Sequence, residues 1–126
     1  MKVTTEDYQK LVREVALYRE SASKAVHGLP IEALIKLLRV FYATTGLAGE
    51  AGEVSNKIKK ILRDNEGQID EVVRMKILGE LGGVMWYITA LAQEFSLSLE
   101  DIMTYNHDQL VSRAERGKLQ GSGDDR

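Results

Sequence analysis

Apolar residues recur every three or four positions across two long stretches, and this constrains the chain more than any other feature. The first stretch runs from Ile31 to about Leu62 through Leu34, Ile35, Leu38, Phe41, Leu47, Val54, Ile58 and Ile61. The second runs from about Asp70 to Phe95 through Ile77, Leu81, Val84, Ile88, Leu91 and Phe95. Both have the period of a helix, and no segment alternates as a strand would. A shorter segment opens at Thr4 or Thr5, with Glu6 and Asp7 in its first turn and apolar repeats at Tyr8, Leu11, Val12, Val15 and Tyr18. Its pattern fades through Ser21–Lys24 and stops at His27-Gly28, after which Pro30 suits the first position of the next helix. Asp64-Asn65-Glu66-Gly67 reads as a polar turn. Ser96 or Ser98 can cap a last helix through Ile102, Tyr105, Leu110 and Val111, with Glu100 and Asp101 in its first turn. The expected fold is all-α: one domain over residues 1–126, a bundle of about four helices, with loop or tail over 116–126.

Composition narrows the chemistry. A chain of 126 residues is one domain in size, and its single Pro agrees with long helices. With no Cys and only His27 and His107, cysteine-based zinc sites and thiol catalysis are excluded. A net charge of −2 speaks against general affinity for nucleic acid. The longest uncharged run, residues 81–93, falls short of the ~20 apolar residues that span a bilayer. The opening Met-Lys-Val-Thr-Thr-Glu-Asp lacks the apolar stretch of a signal peptide, so no targeting signal is expected. A cytoplasmic protein without nucleic-acid or membrane partners is expected.

Gly46, Gly49 and Gly52 interrupt the longest helix, each at roughly 1 kcal/mol of propensity relative to Ala, which calls for close helix approach or ligand access. At about 100° per residue, Glu50, Glu53, Lys57 and Lys60 share one sector beside that of Leu47, Val54, Ile58 and Ile61. On the following helix Glu80, Gly83 and Tyr87 border Leu81, Val84 and Ile88. Antiparallel packing through the apolar faces would bring Glu50, Glu53 and Glu80 together. Converging carboxylates need a cation, and a hard divalent ion such as Mg²⁺ takes oxygen ligands and leaves room for substrate phosphates. A solvated face with Glu53 paired to Lys57 is the alternative.

Gly46-Leu47-Ala48-Gly49-Glu50-Ala51-Gly52-Glu53-Val54, followed by Lys57-Ile58-Lys59-Lys60, resembles the first signature of the MazG-like nucleoside triphosphate pyrophosphohydrolases. Glu80-Leu81-Gly82-Gly83-Val84-Met85-Trp86-Tyr87 resembles the second. Asn106…Leu110…Arg113 and Glu115-Arg116-Gly117…Gly121–Arg126 also fit a compact subgroup, so the likeness covers roughly residues 30–126. It implies an all-α homodimer or homotetramer that binds Mg²⁺, with Mn²⁺ as a substitute, and cleaves a (d)NTP to the monophosphate and pyrophosphate. Glu50, Glu53 and Glu80 match ligand positions, while Gly83 stands where the family carries Asp and Gln109 where it carries Lys.

Gly83 leaves three readings. Three glutamates with water and phosphates hold the metal; Asp108, Asp124 or Asp125 supplies the missing oxygen; or the site is impaired. Glu94 is too far, about 21 Å along the helix. Glu50 or Glu53 is the candidate to position or deprotonate the attacking water. Lys57, Lys60, Arg113, Arg116 and Lys118 are candidates to balance triphosphate charge, and Asn106 to bond sugar or phosphate. Trp86 reads as a core or dimer contact, and His27 as a neighbour of a helix C-terminus. A non-catalytic nucleotide-binding relative and a helical interaction module with solvated acids are the rivals; acids fully exposed and splayed apart would favour the latter.

Overall fold

In the computed structural model, residues 2–120 are described and form five helices: α1 (Thr5–Val15), α2 (Tyr18–Gly28), α3 (Ile31–Asp64), α4 (Glu71–Glu94) and α5 (Leu99–Glu115). The expected all-helical class holds among these residues, which contain no strand. Residues 121–126, including Asp124 and Asp125, lie outside them. The described residues pack as two compact units, divided between Leu38 and Arg39.

In the first unit the single helix expected up to His27 is two helices. Ala16 takes φ −78° and ψ 65°, and the Leu17 N–H donates to the Val15 carbonyl at 2.9 Å. That is an inverse γ-turn, which ends α1 two residues short of a continuous helix. Neither Gly nor Pro marks the break. At the other end of α1, Thr4 and Asp7 form a reciprocal capping box. No residue of α1 or α2 is buried.

In the second unit α3 and α4 are an antiparallel hairpin. Its turn begins with Asn65 and passes through Glu66 and Gly67, at φ 51° and 80°. Asp70 caps α4 by accepting from the Val73 N–H at 2.8 Å. The covered positions of α3 include the series Val40, Ala43, Leu47, Glu50, Val54, Lys57, Ile61; those of α4 include the series Val73, Ile77, Glu80, Val84, Tyr87, Leu91, with Ile88, Thr89, Ala90 and Ala92 covered beside it. Steps of alternately three and four are the 3.5-residue repeat of a knobs-into-holes seam. Ile58 and Leu81, expected to line the core, are instead 50% and 47% exposed.

Close approach in this seam depends on Gly46. A Cβ built there would fall on the Tyr87 ring, so the ring packs against bare α3 backbone. Four residues further along α3, Glu50 meets Gly83, four residues back along α4. The Arg39–Glu94 ion pair, at 3.0 Å, follows the same register.

The end of α4 decides between the two candidate serines. Ser96 adopts φ 56°; its N–H donates to Gln93 and that of Leu97 to Ala92. That is a Schellman stop, leaving Ser98 to cap α5 in a reciprocal box with Asp101.

Gly46→Ala is expected to lower stability by about 1–3 kcal/mol, because overpacking against Tyr87 outweighs the roughly 1 kcal/mol of helix propensity gained. Urea unfolding measures this, and a more stable variant would contradict the close approach.

Candidate functional site

The charged residues sit inside the seam, not beside it. Glu50, Lys57 and Glu80 occupy positions that Leu or Val fills elsewhere along the same repeat, and all three are half-buried. The Lys57 ammonium donates to Glu80 across the helix pair, N···O 3.0 Å, with side chains 29% and 21% exposed. This pair raises the Lys57 pKa above 10.5: the hydrogen bond to Glu80 contributes most, then its charge, with a smaller contribution from Glu53 and burial opposing.

Glu50 reaches across to α4 and lays its carboxylate over Gly83, in the space where a side chain at that position would begin. The residue that lacks an oxygen therefore faces one supplied by the opposite helix. Tyr87 closes this end of the site. Its ring stands edge-on to Trp86 at 4.8 Å and 83° and tilts against Tyr42 at 6.4 Å. Hydrogen bonding with Tyr42, then that group's charge, burial and the Glu50 carboxylate push the Tyr87 phenol above its ordinary value.

The sequence suggested that antiparallel packing brings Glu50, Glu53 and Glu80 together. Among the described residues no three Asp, Glu or His side chains are grouped so as to hold a metal ion. Glu53 is exposed, and Glu80 is turned to Lys57. The donor set still suits a hard cation, since every donor is a carboxylate oxygen. Lys57 supplies the positive charge that such a set requires. Accepting a divalent ion here means that Glu80 releases Lys57.

Of the remaining candidates, Lys60 lines a cleft together with Lys57. Lys60 is exposed on the last turns of α3, and Asn106 on α5. Arg113 is half-buried, and its Nε is enclosed without a hydrogen-bond partner. Arg116 donates through Nε to the Ser112 carbonyl at 3.3 Å, and Lys118 lies past the end of α5. Among the described residues no hydrogen bond or ion pair joins Asn106, Arg113 or Lys118 to Glu50, Glu53 or Glu80. Asp108 contacts His107 at 3.0 Å, and Gln109 donates to the Tyr105 hydroxyl at 3.4 Å. Glu94 is engaged by Arg39. Trp86 is 61% exposed, so it is no core residue of this chain. His27 lies in the last turn of α2 with Nδ1 2.7 Å from the Ser23 carbonyl.

Sequence reasoning passed over Lys76. It lies one turn before Glu80 on α4, and the hairpin register sets it level with Lys57. The i, i+4 spacing to Glu80 was the available signal.

The chain is similar to the Gene 37 protein of Mycobacterium phage L5, with 49% identity over 85 residues, which span 68% of this chain and 75% of that protein. No family profile matches the chain. No solved structure matches it either.

Because the folded state raises the Lys57 pKa, the pair's contribution is complete below 10.5 and fades as pH rises through the raised value. The stability difference between wild type and Lys57→Met should therefore stay level through neutral pH and shift against wild type above 10.5. Thermal melts across that range measure it; a difference independent of pH would contradict the pairing.

Proposed function

We propose that this chain, which belongs to the family of the Gene 37 protein of Mycobacterium phage L5, is a Mg²⁺-dependent nucleoside triphosphate pyrophosphohydrolase acting as a homo-oligomer. The observation that carries this reading is the placement of Glu50, Lys57 and Glu80 in seam positions that helix packing would otherwise fill with apolar side chains. Charge at such positions costs stability. A role in holding a cation against phosphate accounts for it, and the MazG-like pattern Glu50…Glu53…Glu80 supports the same reading. Half-burial of Glu50 and Glu80 also weighs against acids that are merely solvated.

Glu50, Glu53 and Glu80 would hold Mg²⁺, with Mn²⁺ as a substitute. When bound, the ion polarises phosphate oxygens and offsets charge on the leaving pyrophosphate. In the proposed reaction a water oxygen bonds to the α-phosphorus and the bond from that phosphorus to the α–β bridging oxygen breaks. The monophosphate and pyrophosphate leave, and the water's proton passes to a carboxylate. Exposed Glu53 is the better placed acceptor, since Glu50 is laid against α4. Lys57, freed from Glu80, balances phosphate charge; Lys60, Arg113, Arg116, Lys118 and Asn106 are the further substrate contacts proposed. The enclosed, unpartnered Arg113 Nε supports such a contact.

A second copy is proposed to cover the apolar face of α4. Leu78, Leu81 and Met85, 61%, 47% and 51% exposed, repeat the three-four spacing of the seam on another side of the helix. A helix apolar on several sides is normally packed on several sides. Trp86 adds to this exposed surface.

Gly83 supports a second reading, a nucleotide-binding relative with impaired catalysis, because it offers no oxygen and Glu50 fills its space. Two measurements separate these readings. Pyrophosphate release from a panel of NTPs and dNTPs is expected with Mg²⁺ and not without it; nucleotide binding with no release selects the impaired relative. Gly83→Asp displaces the Glu50 carboxylate and sets two acids side by side. Its melting temperature is expected to fall without Mg²⁺ and to gain more from Mg²⁺ than wild type does. An equal response of both proteins would remove position 83 from the metal site.

A further inference from the structure

The turn end of the α3–α4 hairpin holds a cleft of about 260 Å³ whose lining includes Lys57, Lys60, Lys76, Asp64 and Asp70. Both acids are already engaged. Asp64 accepts two hydrogen bonds from Arg63, at 2.6 and 2.7 Å, and Asp70 caps α4. Lys57 is held by Glu80 at 3.0 Å. Neither Lys60 nor Lys76 forms a close ion pair among the described residues. Arg63, and after it the Lys60 charge, hold the Asp64 carboxyl below its ordinary value against burial, and Lys76 adds a second ammonium group to the cleft. The volume falls below the ~300–1,000 Å³ of pockets that enclose drug-sized ligands, so a compact polyanion fits and a whole nucleotide does not.

We propose that this cleft binds a pyrophosphate group through Lys60 and Lys76. The group is either inorganic pyrophosphate or the β- and γ-phosphates of a nucleoside triphosphate; the second source rests on the hydrolase reading and deepens it. Helical rise puts Lys76 about 6 Å along α4 from Glu80, and Lys60 about 10 Å along α3 from Glu53. An anion seated between these lysines lies about one helical turn from Glu80, and Lys57 links the cleft to that carboxylate. Lysine suits this role as a compact point charge that needs no planar partner.

Calorimetric titration of the full chain with sodium pyrophosphate, without divalent cation and at low ionic strength, tests the cleft directly. Wild type is expected to bind. Lys60→Gln and Lys76→Gln should each weaken binding at least about tenfold, the effect of one lost charge-assisted hydrogen bond. Lys59→Gln, exposed and outside the cleft, should bind as wild type does. Lys60→Arg and Lys76→Arg should keep affinity near that of wild type, which separates charge loss from misfolding. A nucleoside triphosphate weakened by the same substitutions assigns the cleft to the substrate tail; binding of pyrophosphate alone assigns it to the free anion. No binding by wild type, or unchanged affinity in both glutamine variants, overturns the proposal. Hydrolysis with unchanged KM in both variants overturns the tail assignment and leaves the hydrolase reading intact. Pyrophosphate binding lost in the variants, with no hydrolysis by wild type, supports the cleft and overturns the hydrolase reading.

Discussion

An ion pair inside a helix seam governs how α3 and α4 meet. Lys57 and Glu80 join across the hairpin in a repeat whose other positions are mainly apolar. Such a pair gives less stability than well-packed hydrocarbon, but its geometry is demanding. Lys57 lies level with Lys76 and leans one turn along α4 to reach Glu80, so a slide that lengthens this reach would strand both charges. Polar residues at seam positions fix register in helix pairs for this reason. That register seats Tyr87 on the bare backbone of Gly46 and brings Glu50 to Gly83.

The long helices were legible because their apolar period and caps agree. Asp70 begins α4, and the glycine turn falls where the polar run predicts it. The sector of the seam was less legible. A wheel at 3.6 residues per turn places Ile58 in the core and Lys57 beside it, whereas packed helices follow a 3.5-residue repeat and drift about 20° per heptad from that wheel. Over three heptads of α3 the drift is enough to bring Lys57 inside and leave Ile58 out. The turn at Ala16 was not legible at all, since Ala favours helix and no breaker flanks it.

The candidate site was readable as residue types and less so as geometry. Glu50, Lys57 and Glu80 emerged from the stripe, but the stripe alone does not say which acid holds the lysine and which covers the glycine. Both assignments depend on tertiary register. The glycines had distinct meanings: Gly46 admits a ring and Gly83 admits a carboxylate, whereas a Cβ at Gly49 or Gly52 would meet nothing within 4 Å. Lys76 escaped notice because its importance comes from the opposite helix.

Whether the charged seam is a cation site is the central question for this fold. Titrating the isotope-labelled protein with substoichiometric Mn²⁺ and following backbone amide resonances answers it directly. The expected result is selective broadening around Glu50, Glu53, Lys57, Glu80 and Gly83, relieved by excess Mg²⁺. Uniform broadening, or broadening centred elsewhere on the chain, would contradict a cation site in the α3–α4 seam.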